Sequence, residues 1–411
     1  MSDEPVVRMG ETSAGVTRPS VSPIYQTTAF DVPDLEILQQ LYAGQLTGDI
    51  YTRDSNPGMR ALAQSIAGLE QTEAGAVFAS GMGALGSIFL TLLSAGDHVL
   101  TAQSLYGKTL QLASRMQRFG ISVSAFDVSS PAQLTAQLQP NTRFVLVETV
   151  ANPLLEVADI PALVAAAGAV PLIVDSTFTT PELIRPCQLG AAAVIHSASK
   201  YLNGHGDVML GVAAGSAQLM ARLNETASIF GQNANPFECW LTQRGLRTLP
   251  LRMRQICSTA GRLAQFLTTH PAVLKVHHPS LPQHPSHALA ERMYPQGTGG
   301  IVAIELQTGG RTGIETVNQF MHSVPQLPFS PTLADARTTL SHPALTSHRF
   351  LSPEVRSAAG ISDALLQIAL RATEVRSAAG ISDALLRISV GLEPLDVLVQ
   401  EFDAGLKTLL K

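Results

Sequence analysis

Residues 196–211 read HSASKYLNGHGDVMLG. The stretch closes an apolar run, AAAVIHSAS (191–199), and sets Lys200 between small hydroxyl residues and a glycine-rich turn. A short apolar run bounded by turn residues is the pattern of a strand buried on both faces. In open α/β sheets, ligands bind at the carboxyl ends of such strands. A lysine held there and partly removed from water has a lowered pKa, and its neutral amine attacks carbonyl groups. On position alone, a solvated loop lysine is the better explanation.

Working outward, the pattern repeats. AVFAS (76–80), DHVLTA (97–102), SVSAFDV (122–128), RFVLVETV (143–150) and VPLIVDST (170–177) are further strand candidates, and VMLGVAAGS (208–216) adds one after Lys200. Helical stretches such as MGALGSIFLTLLS (82–94), PAQLTAQLQ (131–139) and IPALVAAAGA (160–169) lie between them. This alternation predicts an α/β fold, a mostly parallel sheet of seven strands between helices. We expect an extended arm over 1–60 and a ligand-binding domain over 61–250. The long helical stretch 248–270 leads into a smaller C-terminal α/β domain over 251–411.

The composition narrows the classes. At 411 residues, 45% hydrophobic and 14% charged, the chain can bury a large core. A net charge of -5 offers no basic face for nucleic acid. Cys187, Cys239 and Cys257 show no paired spacing, so we expect reduced thiols and no bound metal. The start, MSDEPVVRMGETS, lacks an apolar core, so no signal peptide and a cytoplasmic protein are expected. GALGSIFLTLLSAG is too short to span a bilayer, which needs about 20 apolar residues. No membrane partner is expected.

Two more features converge on Lys200. Asp175 closes the apolar run VPLIVD one crossover upstream, and an acid there is costly unless paired. A turn or cap role is its ordinary alternative. ASGMGALGS (79–87) joins a strand to an apolar helix through Ser80, Gly81, Met82 and Gly83. Free amides at such a helix start favour an anion such as phosphate. Ser197 and Ser199 can add hydroxyls to the same group. A lysine for an aldehyde, a carboxylate for a ring nitrogen and a phosphate cradle are what pyridoxal 5'-phosphate requires.

The chain resembles the cysteine/methionine metabolism (trans-sulfuration) family of pyridoxal-phosphate enzymes, of fold type I, the aminotransferase-like architecture. The carriers are YTRDSNPG (51–58), ASGMGA (79–84), SLYGKT (104–109), ANPLLEVADI (151–160), VDSTFTTP (174–181), HSASKYLNGHGDV (196–208), RGLRTLPLRM (244–253), SHPALTSH (341–348) and LLRISVGLE (385–393). They occur in order, over about residues 18–405. The resemblance implies that Lys200 binds the cofactor aldehyde and then moves protons, and that Asp175 holds the ring nitrogen. It implies that Tyr106 stacks on the ring and that Asn152 meets its phenolic oxygen. Gly81, Met82, Ser197 and Ser199 hold the phosphate. Tyr51 and Arg53 reach the phosphate of a neighbouring subunit, which implies a dimer with shared sites and a homotetramer of dimer pairs. Arg387 takes the carboxylate of an amino-acid substrate by a bidentate fork.

The implied chemistry lies at Cγ of homoserine-type substrates. Relatives acting on cystathionine tend to carry an acid just before their Y-[ST]-R motif. Here Ile50 stands there and Asp49 one place earlier, which suits an uncharged tail. PTLADARTTLSHPALTSH (331–348) is more similar to homoserine-ester sulfhydrylases than to lyases. Lys108 departs from both, since methionine γ-lyases show cysteine and most relatives glycine. Thr332 and Ala334 stand where relatives often have Ser and Gly near the substrate. The expectation is γ-replacement on an O-acylhomoserine. The alternatives are a γ-eliminating carbon–sulfur lyase and, from another class, a catalytically silent relative.

One unit, EVRSAAGISDALL, occurs identically at 354–366 and 374–386. Only the second copy continues into RISVGLE, so Arg387 is expected in the site and Gln367 in the displaced equivalent. The spacing upstream fits relatives when counted to the first copy, so one 20-residue unit reads as an insertion.

Overall fold

A computed structural model of the chain describes residues 19–343, 382 and 384–410. The first copy of the repeat, Gln367 and most of the second copy lie outside the described residues.

The larger sheet contains β1 (Ala74–Phe78), β2 (His98–Ala102), β3 (Ser122–Phe126), β4 (Thr142–Glu148), β5 (Leu172–Asp175), β6 (Ala193–Ser197) and β7 (Gly211–Gly215). Its order is β1-β7-β6-β5-β4-β2-β3. Strands β2 to β6 pair in parallel, whereas β7 runs antiparallel to both β6 and β1. Every residue of β2 and β7 is buried. Burial on both faces is why these strands read as apolar runs rather than alternating ones. The seven-stranded expectation is met, and the architecture is that of fold type I.

The helices before and between these strands are α1 (Leu35–Tyr42), α2 (Pro57–Glu70), α3 (Gly81–Leu92), α4 (Gly107–Met116), α5 (Pro131–Gln137), α6 (Ile160–Ala167) and α7 (Thr180–Leu183). After β7 come α8 (Ala217–Phe230), α9 (Pro236–Leu246), α10 (Leu249–Thr268), α11 (His287–Met293), α12 (Gly313–Ser323) and α13 (Leu395–Lys407). No helix among the described residues is long and apolar enough to cross a membrane.

Residues 19–60 are not extended throughout. Asp34 caps α1 by accepting the Ile37 amide at 2.8 Å, yet α1 buries none of its residues. Asn56 then caps α2, with Pro57 in the first turn, where its missing amide costs nothing.

The second sheet joins β8 (Val273–His277), β9 (Ile301–Leu306), β10 (Thr339–Ser341) and β11 (Leu385–Ser389) in the order β10-β11-β9-β8, all antiparallel. Its own core packs Ile304, Leu386 and Ile388 against α10, α12 and α13, and the Phe320 and Phe402 rings stack at 5.7 Å. In β11, Arg387 faces Ser341 of β10 on one side and Ala303 of β9 on the other.

Candidate active site

The carboxyl ends of β4, β5 and β6 open into one cavity of about 980 Å³, roofed by residues of the second sheet's loops and of α12. Lys200 stands in it, one turn beyond β6, where its amide donates to the Ser197 carbonyl at 3.1 Å. Its Nζ donates to Thr332 Oγ1 at 2.9 Å. Burial, and secondarily the nearby Arg387 guanidinium, lower its pKa to about 8. A neutral amine is therefore accessible near neutrality. Arg252 props the turn that follows: its guanidinium donates to the carbonyls of Tyr201 at 2.6 Å, Leu202 at 3.2 Å and Gly245 at 2.8 Å. Arg252 stands within RGLRTLPLRM (244–253), whose spacing alone does not reveal this bracing role.

Asp175 ends β5 within the same cavity. Its Oδ1 accepts the amide of Thr177 at 3.0 Å and the Thr177 hydroxyl at 2.6 Å. Burial raises its pKa, while the Thr177 bonds and His196 oppose the rise. Beside it, Glu148 ends β4 and is the register partner of Asp175. Glu148 was missed by sequence reasoning, although it closes an apolar run as Asp175 does. Its Oε1 accepts the Tyr106 amide at 2.6 Å. Burial, and next the Asp175 charge, push its pKa well above the ordinary carboxylate value.

Ser80 caps α3 by accepting the Gly83 amide at 3.0 Å, so the helix start points into the cavity beside Gly81 and Met82. A Cβ on Gly81 would stand 2.9 Å from Ser197 Cβ, and one on Gly211 only 2.1 Å from the Ser80 carbonyl. Glycines thus let the first turn of α3 sit against the end of β6. Ser197 lines the cradle, and its amide donates to Thr177 Oγ1 at 2.8 Å. Ser199 lines it too, but its hydroxyl is engaged by the Leu210 backbone, accepting the amide at 3.0 Å.

Arg387 enters from β11. Its side chain is buried, donating to Asn152 Oδ1 at 3.3 Å and to the Thr332 carbonyl at 3.1 Å. Its Nε has no hydrogen-bond partner among the described residues. Burial lowers its pKa to about 10. Ala334 adopts φ +69°, a left-handed conformation suited to glycine, and its amide donates to Ser389 Oγ at 2.8 Å.

Tyr106 lines the mouth at the start of α4. Ile50, Tyr51 and Arg53 are not brought to this cavity. Tyr51 and Arg53 are exposed and line a separate shallow depression, with the Arg53 guanidinium 5.1 Å from the Tyr51 ring centre. Ile50 is half-buried, its carbonyl accepting the Phe30 amide at 2.9 Å.

These groups fit pyridoxal phosphate. A lysine amine of lowered pKa, a buried carboxylate anchored on one oxygen and a glycine-lined helix start lie on one cavity wall. A family model described as Cys/Met metabolism PLP-dependent enzyme matches residues 4–371. An O-succinylhomoserine sulfhydrylase of Pseudomonas aeruginosa is 38% identical over 371 residues, 90% of this chain and 86% of that protein. An L-methionine gamma-lyase of Porphyromonas gingivalis is 35% identical over 395 residues, 95% and 93% of the two chains. The crystal structure of a cystathionine gamma synthase from Xanthomonas oryzae pv. oryzae superposes with TM-score 0.86 at 31% identity, covering 98% of this chain and 97% of its own. The chain belongs to the Cys/Met metabolism family of pyridoxal-phosphate-dependent enzymes.

Proposed function

We propose that this sulfur amino-acid enzyme carries out γ-replacement on an O-acylhomoserine, joining the homoserine carbon chain to sulfide or a thiol. The observation that carries this reading is the wall opposite the strand ends. Ile314, Val317, Asn318 and Met321 lie at i, i+3, i+4 and i+7 of α12, so one helix face lines the cavity, joined by Phe329. The acids among the described lining residues are Glu148 and Asp175, both at strand ends. Asp49, the acid just upstream of the Tyr51 motif, is paired with Arg60. A distal ammonium such as that of cystathionine therefore finds no carboxylate on the α12 wall, whereas an acyl tail finds apolar surface.

Pyridoxal phosphate, when bound, supplies an electron sink. Lys200 would hold its aldehyde, Asp175 its ring nitrogen, Tyr106 its ring face and Asn152 its phenolic oxygen. Gly81, Met82, Ser197 and Ser199 would hold its phosphate. Arg387 would bind the substrate α-carboxylate, which would give its buried guanidinium a counter-charge in place of the neutral oxygens of Asn152 and Thr332. Lys200 Nζ, once released, takes the α-proton and returns protons along the substrate. Tyr51 and Arg53, turned away from their own cavity, would serve the phosphate of a partner subunit. The assembly would be a dimer with shared sites, within a homotetramer.

γ-Elimination on methionine is the second reading, because the same apolar wall suits a thioether and several relatives are named for that activity. An assay of O-acetyl- and O-succinylhomoserine with sulfide or cysteine, beside methionine, homocysteine and cystathionine alone, separates the two. Replacement predicts a thiol-dependent amino-acid product as the fastest turnover. α-Keto acid and ammonia from methionine as the main products would overturn it.

A further inference from the structure

Glu148, half-buried on the cavity wall, is an acid that the reaction above does not use. In the parallel β4–β5 pair, Glu148 and Asp175 are register partners, so their side chains leave the sheet on the same face, and both line the cavity. Two neighbouring carboxylates in a poorly solvated site cannot both stay ionised. The hydrogen bonds decide between them. Asp175 accepts two bonds from Thr177 on one oxygen, and one of these comes from a hydroxyl at 2.6 Å. His196, bonded to the buried Glu70 at 2.6 Å, lies on the adjacent strand and favours the Asp175 charge. Among the described residues, Glu148 accepts backbone amides, from Tyr106 and Asn152. Of the cations on this cavity, Lys200 donates to Thr332, and Arg387 to Asn152 and Thr332.

The second half of the argument is position. The Tyr106 amide begins α4, and Tyr106 has no side-chain cap bond of its own. The 2.6 Å bond from its amide to Glu148 Oε1 ties this helix start to the end of β4, 42 residues on. An oxygen of a neutral carboxyl group accepts such a bond as well as a carboxylate does in kind, though less strongly.

We propose that Glu148 stands as a neutral acid and is a positioning residue: it fixes Tyr106 over the cofactor site and leaves the single negative charge on Asp175. Glutamine copies the shape, the acceptor and the neutrality of such a group. Alanine removes the acceptor and orphans the Tyr106 amide.

The test compares wild-type holoenzyme with Glu148→Gln and Glu148→Ala. Infrared spectra of protein labelled with ¹³C-glutamate should show a protonated carboxylic acid band that is absent from Glu148→Gln. Cofactor retention on dilution, followed by visible absorbance, should be close to wild type in Glu148→Gln. In Glu148→Ala the cofactor should be lost about fivefold faster, the size expected for the net loss of one hydrogen bond. A spectrum without that band, or with it unchanged in Glu148→Gln, overturns the neutral acid. Equal damage in both variants means that charge is required, and equal retention means that Glu148 positions nothing; either result sinks the proposal. If Glu148→Ala fails to fold, Glu148→Met supplies the variant without an acceptor.

Discussion

Lys200 and Arg387 meet on one residue. Lys200 Nζ donates to the Thr332 hydroxyl and Arg387 Nη2 to the Thr332 carbonyl. Two cations are thus spaced by a single loop residue; burial lowers the pKa of both, and the Arg387 charge lowers that of Lys200 further. The Lys200 amine and the Arg387 guanidinium are held by the same loop residue.

The pH dependence of cofactor capture follows. Lys200 titrates near pH 8 rather than at its ordinary 10.5. Its neutral fraction rises as pH rises through about 8, and so should the rate at which apoprotein captures pyridoxal phosphate, read by visible absorbance. The Thr332 hydroxyl accepts from the ammonium and favours the charged form. Thr332→Val should therefore move the midpoint downward. A midpoint near that of free lysine in wild type would contradict the burial argument. Lys200→Ala should show neither capture nor turnover.

Arg387 is the second test. Losing one partner of a buried charge pair costs about 2–5 kcal/mol. Arg387→Ala should raise KM for any amino-acid substrate by a corresponding factor. Gln367→Ala, in the other copy of the repeat, should leave KM unchanged. If Gln367→Ala were the damaging change and Arg387→Ala silent, the second copy would not be the functional one.

The shared-site assembly is testable by mixing. A Lys200→Ala protein and an Arg53→Ala protein are each expected to be impaired. Hybrid dimers would contain one site with neither lesion, so activity should reappear on subunit exchange. Exchange verified by mass spectrometry without recovered activity would place Arg53 outside the partner's site.

Lys108 offers a probe of the acyl group. It lines the cavity mouth one turn from Gln111, to whose side-chain oxygen its Nζ donates at 3.2 Å. A cation there favours an acyl tail ending in a carboxylate. Exposed ion pairs are worth about 0.2–1 kcal/mol. Lys108→Glu should thus lower kcat/KM for the O-succinyl ester several-fold relative to the O-acetyl ester. A constant ratio would separate Lys108 from the choice of substrate.

The sheet was readable because its strands are buried on both faces and therefore appear as apolar runs, and Lys200 and Asp175 were readable because each closes one. Glu148 carries the same signature, an acid ending RFVLVE, but it sits where no motif of the pyridine ring requires a carboxylate. Helix α1 escaped because it turns no residue into the core, so its eight residues show no buried stripe. The contacts of Thr332 were out of reach: Lys200 is 132 positions away in sequence, and only the docking of the second sheet brings them together. Ile50, Tyr51 and Arg53 carry recognisable motif residues, yet a single chain does not bring them to its own cavity.

The seating of β11 has a consequence for how this chain tolerates change. Hydrogen-bond ladders grip the strand on both edges, with Arg387 opposite Ser341 and Ala303. The place of the Arg387 guanidinium is set by where the strand docks and not by how many residues come before it. Removing one 20-residue copy of the repeat should therefore leave Arg387 in register, which an unchanged KM for an amino-acid substrate would show.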